Sequence, residues 1–337
     1  MKIPKFISPA EYGVTHHRNG MAPTVMSSPA PRIAVLLPCH NEALSIARVV
    51  ADFTTALPRA KVYVYDNCST DATSHVAADA GAIVRSEPWP GKGNVVRRMF
   101  ADIEADVYVI ADGDGTYDAS AAPAMVDMLL TKHLDMVVGV RDNIYQEAHR
   151  RGHGLGNRLF NGVYRRLFGR LFSDIFSGYR VFSKRFVKSF PAVSSGFEIE
   201  TEMSVHASLL RMPVEEVRTR YSARQEGSAS KLRTFRDAFR ILRTLLVLFK
   251  EFQPARLFGV IALALATIAL VLGLPLLQTF IDTGTVPRIP TAIIIIGFAL
   301  MSAGAMLSGL LLDSIAGGRL EQKRLLYLSV GRAGGAD

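Results

Sequence analysis

The 337-residue chain is poor in cysteine and tryptophan, with only Cys39, Cys68 and Trp89. Two thiols outside any C-x-x-C pair exclude a disulfide-stapled scaffold and a cysteine-built zinc site, and they fit a reducing compartment. A P-loop is also missing, because Gly91-Lys92-Gly93-Asn94 lacks both the spacing and the hydroxyl that a Walker sequence needs. The first apolar run leads into Pro38-Cys39-His40-Asn41-Glu42. A G-x-G-x-x-G turn would stand there in a dinucleotide-binding dehydrogenase, so that class is excluded. Residues 1–31 have no apolar segment of the kind a signal peptide carries, and they read as a flexible tail. No internal repeat occurs.

Acidic residues are outnumbered, 30 against 39 Lys and Arg, for a formal charge of +9. Such a balance often marks a nucleic-acid binder, but here the basic residues cluster beside two long uncharged runs at 257–281 and 289–312. Each run exceeds the roughly 20 residues a helix needs to cross hydrocarbon, so both read as transmembrane helices. Arg233, Arg236, Arg240, Arg243, Lys250 and Arg256 precede the first, and Arg319, Lys323 and Arg324 follow the second. An anionic lipid surface accounts for that placement, and nucleic acid does not. The positive-inside rule then sets both flanks in the cytoplasm, with the short 282–290 connection as the translocated turn. The expectation is a multi-pass protein of the inner (cytoplasmic) membrane whose large N-terminal domain and C-terminus are cytoplasmic. Ala305 and Gly309 form a small-xxx-small pair in the second run, which predicts self-association into a homo-oligomer.

From residue 32 onward short apolar runs alternate with helical segments, the signature of an α/β domain around a largely parallel sheet. Strands are expected at 32–38, 61–66, 82–85, 107–111 and 134–139. Helices are expected at 44–57, 70–80, 94–105 and 121–131. Beyond 139 the alternation fails. Residues 155–172 mix apolar side chains with arginines, and Leu232, Phe235, Phe239, Leu242, Leu246 and Phe249 recur at helical spacing. Both segments read as amphipathic helices, set either on a membrane surface or against the protein.

In sheets of this kind ligands gather at the carboxyl ends of the strands. Polar clusters fall there: Asn41 and Glu42, then Asp66, Asn67, Ser69 and Asp71, then Asp112 and Asp114. In Asp112-Gly-Asp114-Gly-Thr-Tyr-Asp118 two carboxylates stand one residue apart beside glycines that let phosphate approach. This suits an Mg2+ or Mn2+ bridge to a diphosphate. An EF-hand is excluded, since Tyr117 and Pro123 occupy the positions that need glycine and glutamate. A purely structural Asp/Gly turn is the remaining alternative. Lys92 lies in a glycine loop that can meet phosphate or base. Glu198, Glu200 and Glu202 would gather only on a strand and would scatter on a helix, which points to structure or sugar orientation for them.

In the order Pro38-Cys-His-Asn-Glu42, Asp66-Asn-Cys-Ser-Thr-Asp71, Gly91-Lys-Gly-Asn94, Asp112-Gly-Asp114, Ser177-Gly-Tyr-Arg180 and Ser230-Lys231, the chain resembles the polyprenyl-phosphate glycosyltransferases of glycosyltransferase family 2. That group includes dolichyl-phosphate mannose synthase and bacterial enzymes with two C-terminal spans. The resemblance runs from about residue 32 to 312. It implies a GT-A (Rossmann-like) domain at 32–230, an amphipathic juxtamembrane helix at 231–254, two transmembrane helices within 255–313 and a cytoplasmic tail at 314–337. It also implies a nucleotide-sugar donor and an undecaprenyl or dolichyl phosphate acceptor. Pro38, Asn41, Glu42, Asp66, Asn67, Ser69, Lys92 and Asp112 would form the nucleotide site, with Asp112 and Asp114 on the metal. Arg180 joins the two aspartates as catalytic, and Arg141, Arg158, Arg224 and Lys231 would meet acceptor or donor phosphate.

The mechanism expected of such an enzyme needs no dedicated base. A phosphate monoester, with a second pKa of about 6, is largely a dianion at neutral pH and already a nucleophile. Inversion at the anomeric carbon follows from in-line attack. The chain departs from the commonest pattern of its group, Asp-Ala-Asp-Leu-Gln, by having Asp-Gly-Asp-Gly-Thr. The donor is therefore expected to be a UDP-sugar, with GDP-mannose open. A processive polysaccharide synthase is a rival reading, but its Gln-x-x-Arg-Trp motif is absent and two spans make a poor channel. A non-catalytic nucleotide-sugar adaptor would not need the twin carboxylates.

Overall fold

A computed structural model describes residues 30–141, 172–222 and 253–331, with the isolated positions Gly162, Val247, Phe249 and Lys250. Strands β1 (Ile33–Cys39), β2 (Lys61–Asp66), β3 (Ile83–Ser86), β4 (Val107–Ile110), β5 (Met136–Arg141), β6 (Arg180–Ser183) and β7 (Val214–Thr219) form one seven-stranded sheet in the order β3-β2-β1-β4-β6-β5-β7. Helices α1 (Ile46–Ala56), α2 (Thr73–Asp79), α3 (Lys92–Asp102), α4 (Ala122–Thr131), α5 (Lys184–Ser189) and α6 (Ile199–Leu210) cover its faces. The sheet is parallel except at β6, which runs antiparallel to both β4 and β5.

The expected strands are present, with shifted ends that have local causes. β5 runs on to Arg141 because it finds a full parallel partner in β7, out to Arg141 against Thr219. α1 starts at Ile46, since the Glu42 carbonyl takes the Ser45 and Ile46 N–H groups in a tight turn first. Its apolar positions Ile46, Val49, Val50 and Phe53 follow the i, i+3, i+4, i+7 rule and are all buried. Each such side chain contributes about 1.5–3 kcal/mol on burial. Glu198, Glu200 and Glu202 lie at the N-terminus of a helix, α6, so the strand that would have gathered them does not form.

Two further helices, α7 (Pro254–Thr283) and α8 (Ile289–Ser329), are long and apolar enough to cross a membrane. They pack on each other, with Ser302 Oγ donating to the Ala262 carbonyl at 2.8 Å. A Cβ on Gly309 would stand 2.8 Å from Phe258 Cβ. The glycine of the small-residue pair therefore serves the contact between these two helices of one chain.

In the segment after 313, expected as a cytoplasmic tail, α8 continues unbroken to Ser329 and docks on the domain. Tyr327 Oη donates to Asp135 Oδ2 at 2.6 Å, and the Arg185 guanidinium lies 4.8 Å from the Tyr327 ring centroid. Four residues earlier, the charge of Lys323 reaches His206 on α6. α6 descends from Glu200 to Leu210, and Asp135 N–H then bonds the Pro213 carbonyl at the amino end of β5. Both contacts lie on the final turns of α8, next to α6. From Tyr327 back to Asp313 the helix is about 21 Å long.

Candidate active site

The loops after β1 and β2 are tied together. Asn41 takes a left-handed φ of 53°, and its Oδ1 accepts from Thr70 N–H at 2.7 Å while its own N–H bonds Ser69 Oγ at 2.9 Å. Glu42 is buried, and its N–H bonds Thr73 Oγ1 at 2.8 Å. At the end of β2, Asp66 Oδ1 is buried and has no hydrogen-bond partner. Its neighbour Asn67, expected in the nucleotide set, turns its side chain to the loop after β3. The Asn67 amide donates to the Glu87 and Trp89 carbonyls at 2.9 and 2.8 Å and accepts from Gly91 N–H at 2.7 Å. A proline- and glycine-rich loop has few internal partners for its backbone, and this side chain supplies them.

The Asp112–Asp114 turn sits at the end of β4, under β1. Pro38 is the sixth residue of β1, and its carbonyl lies near Gly113, whose α-hydrogens face Cys39 Sγ so closely that a Cβ would collide. Ser45 Oγ donates to the Gly113 carbonyl at 2.8 Å. Asp114 is buried, and its Oδ1 accepts from Thr116 N–H at 3.1 Å and Thr116 Oγ1 at 2.6 Å. Lys92, on the first turn of α3, ion-pairs with Asp112 Oδ1 and, at 2.6 Å, with Glu200 Oε1. Burial opposes the charge on Lys92, but Asp112 and Glu200 hold its pKa above the ordinary lysine value. Burial, reinforced by Asp112, pushes the Glu200 carboxyl up, and its second oxygen has no partner. Gly178 closes the cluster. A Cβ there would stand 3.0 Å from both Asp112 Oδ2 and Lys92 Nζ, so only glycine lets the 177–179 loop approach these charges.

The two arginines that lie within the described residues part company. Arg141, at the end of β5, gives Nε and Nη2 to Asp174 at 2.9 and 3.0 Å and lies 5.5 Å from the Tyr221 ring centroid, near the acidic turn through the Tyr117–Tyr221 contact. Arg180, expected among the catalytic residues, is buried. It is 1% exposed, and its guanidinium bonds the Ser177 and Ile175 carbonyls at 2.8 and 2.9 Å and Ser204 Oγ at 3.0 Å. β6 is an interior strand whose side chain at this position points beneath the sheet, so Arg180 pins the 175–177 loop from inside the core. It does not line the cleft. Arg158, Arg224 and Lys231 lie outside the described residues, as do both amphipathic segments apart from a few isolated positions.

What has been assembled is a set of carboxylates and one lysine at the carboxyl edge of a Rossmann-like sheet. The pattern described as Glycosyl transferase family 2 matches residues 34–190. Glycosyltransferase AglJ of Haloferax volcanii is 34% identical over 72% of this chain and 80% of its own length. Protein RfbJ of Shigella flexneri is 57% identical over 35% of this chain and 95% of its own. The chain belongs to glycosyl transferase family 2. Among solved structures, glucosyl-3-phosphoglycerate synthase from Mycobacterium tuberculosis, determined with Mn2+, UDP-glucose and phosphoglyceric acid, superposes with a TM-score of 0.54. It is 22% identical, and the match covers 65% of this chain and 80% of that one. The likeness shows the GT-A fold.

Several residues of this glycosyltransferase site gave no sign in the sequence. Glu200 belongs to a conspicuous acidic run, yet its partner Lys92 is remote along the chain, and no local periodicity joins them. Asp174, which fixes Arg141, and Thr73, which receives Glu42 N–H, stand in no recognisable motif. Tyr117 was legible only as part of the acidic turn. Its hydroxyl accepts from Gly178 N–H at 2.8 Å, and burial raises its pKa, so the phenol stays protonated and packs the turn against the 177–179 loop.

Proposed function

We propose that this glycosyltransferase transfers a sugar, with inversion, from a nucleoside diphosphate sugar to an undecaprenyl or dolichyl phosphate at the cytoplasmic face of a membrane. One observation carries the reading. A carboxylate-rich cleft shares one chain with two helices long and apolar enough to cross a membrane, and the second of them is docked on the domain through Tyr327. A phosphate held at a lipid surface can therefore meet a donor bound in the cleft. On this reading residues 32–230 are catalytic, 231–254 lie along the membrane, α7 and the uncharged part of α8 span it, and the basic flanks face the cytoplasm.

The donor site is supported by Asp66, whose buried Oδ1 lacks a partner and suits a nucleobase N–H or a ribose hydroxyl. The carboxylates of Asp112 and Asp114 offer the hard oxygen donors that Mg2+ or Mn2+ takes. Among the described residues no cluster of three or more His, Cys, Asp or Glu side chains forms a closed metal cage. An ion completing its shell with diphosphate oxygens and water fits such a pair. When bound, the ion supplies positive charge that stabilises the departing diphosphate. The related synthase bound to Mn2+ and UDP-glucose supports this cofactor and favours a UDP-sugar over GDP-mannose.

The chain's own residues align and compensate. Lys92 neutralises Asp112 and Glu200 and is placed to turn toward donor phosphate. Arg141, fixed by Asp174, faces the acceptor side, with Arg158, Arg224 and Lys231 as further phosphate contacts. The acceptor dianion needs no base, which agrees with the engagement of Glu202 by the Val193 and Ser194 N–H groups at 2.9 and 2.7 Å. The test is incubation in nanodiscs with labelled UDP-sugars or GDP-mannose and polyprenyl phosphate, with and without Mn2+, followed by organic extraction. Label is expected in the organic phase only with both metal and polyprenyl phosphate. Label that stays aqueous for every donor would support the adaptor reading.

A further inference from the structure

The rim of the cleft is unusually apolar for a water-facing edge. Among the described residues of 30–222 the large apolar side chains open to solvent are Leu44, Ile83, Trp89, Val193 and Phe197. Ile83 begins β3 at the amino side of the sheet. The other four stand at the carboxyl edge: Leu44 after β1, Trp89 after β3, and Val193 and Phe197 in the loop that enters α6. Trp89, Val193 and Leu44 are 70%, 74% and 68% exposed. Exposed apolar residues scattered singly mean little, but a concentration on one edge marks an interaction surface.

These side chains are also held in place. Gly93 N–H bonds the Ser195 carbonyl at 3.0 Å, and a Cβ on Gly91 or Gly93 would collide with the Ser195 or Ser194 backbone, so the Trp89 and Val193 loops meet main chain to main chain. The Glu202 carboxylate binds the Val193 and Ser194 N–H groups, Asn67 binds the Trp89 carbonyl, and Trp89 N–H bonds Glu87 Oε1 at 2.9 Å. An apolar tip on a loose loop could fold back onto the protein. These tips are presented outward by loops fastened beneath them.

The course of α8 says what covers them. Docked on the domain at Tyr327, α8 leads within about 21 Å to its uncharged part, so the bilayer that α7 and α8 would enter lies close to the domain that carries this edge. Tryptophan is the side chain that favours the interfacial layer, with an apolar body and a polar N–H. We propose that Trp89, Val193 and Phe197, with Leu44, form an apolar footing that rests in the interfacial layer of the lipid bilayer. The footing rests on reading α7 and α8 as spans, and it is independent of which acceptor the lipid carries. Its effect is to press the open edge of the cleft onto the membrane surface.

Trp89 is the one tryptophan in the chain, so tryptophan emission reports on the footing alone. The full chain is reconstituted in nanodiscs whose lipids are brominated high on the acyl chain, and in unbrominated nanodiscs for comparison. Emission is expected to fall in the brominated discs, with aqueous iodide quenching weakly. The double variant Val193→Ser, Phe197→Ser keeps Trp89 and is expected to lose part of the bromolipid quenching while gaining access to iodide. Strong iodide quenching with no bromolipid effect would overturn the footing. Protection from both quenchers would overturn it too, in favour of a second copy or a partner protein. Transfer measured in the same discs separates the two proposals. Bromolipid quenching without transfer to any polyprenyl phosphate supports the footing and sinks the acceptor, and transfer without quenching does the reverse.

Discussion

The two ends of the sheet both bury carboxylates, and they treat them in opposite ways. At the strand amino ends Asp135 has no exposed surface, and its oxygens accept from Ser183 Oγ at 2.7 Å, Arg185 Nη2 at 2.8 Å and Tyr327 Oη at 2.6 Å. At the carboxyl ends Asp66 Oδ1 and Glu200 Oε2 are buried without partners, and one lysine serves both Asp112 and Glu200. Leaving a buried acceptor unmade costs about 1–3 kcal/mol. Against a typical net stability of about 5–15 kcal/mol, two such atoms are a substantial concession. The comparison separates carboxylates that hold the molecule together from carboxylates kept ready for a ligand.

The sharpest way to break that distinction is to remove a carboxylate at each end. Asp135→Ala strips Arg185 and Tyr327 of their common acceptor, and it is expected to cost about 3–5 kcal/mol in denaturant unfolding. Transfer by the surviving folded enzyme at low temperature should stay near normal. A large fall in kcat with unchanged stability would reverse the assignment of this end. Asp114→Ala is the converse, with transfer expected to drop about 10²–10³-fold. The lost Thr116 contact lowers stability by only about 1 kcal/mol. Near-normal turnover in that variant would remove the acidic turn from the mechanism.

Smaller effects sharpen the picture of the α8 dock. Burial, reinforced by the charge of Lys323, lowers the His206 pKa to about 3, and the ring packs edge-on against Phe186 and Phe190. The native state therefore keeps this histidine neutral, while the unfolded chain takes up a proton below about pH 6.5. Between those values the unfolded state binds more protons, so stability is lost as pH falls, by up to about 1.4 kcal/mol per unit. Urea midpoints of the wild type and His206→Gln compared at pH 7 and pH 5 should show a steeper acid loss in the wild type. Parallel slopes would contradict the buried neutral ring. The smallest effect is expected for Tyr327→Phe, which deletes one hydrogen bond to Asp135 and should cost about 1–2 kcal/mol in thermal unfolding without altering kcat. No measurable shift would mean that α8 does not hold this dock in solution.

The same contrast explains what could be read from the sequence. Apolar runs and the 3.6-residue period of α1 report burial directly, so the strands and helices around the first five strands were legible. So was the Asp112–Asp114 turn, because its acids and glycines are contiguous. β6 was not. It is a four-residue strand inserted antiparallel between β4 and β5, and its pairing depends on residues far from it in the chain. The protein partners of Asn67 and Arg180 were not legible either, since they lie in loops and helices remote along the chain. The dock of α8 has no sign in the sequence, because its basic residues satisfy the positive-inside rule whether or not the helix end packs on the domain.

Nucleotide binding tests the central claim most directly. UDP and GDP would be titrated calorimetrically into the full chain in nanodiscs, with and without Mn2+, for the wild type, Asp66→Ala and Tyr327→Phe. The account predicts metal-dependent binding of one diphosphate that weakens at least about tenfold, or roughly 1.4 kcal/mol, in Asp66→Ala. Binding should be unchanged in Tyr327→Phe. Equal affinity in Asp66→Ala, or binding indifferent to Mn2+, would contradict it.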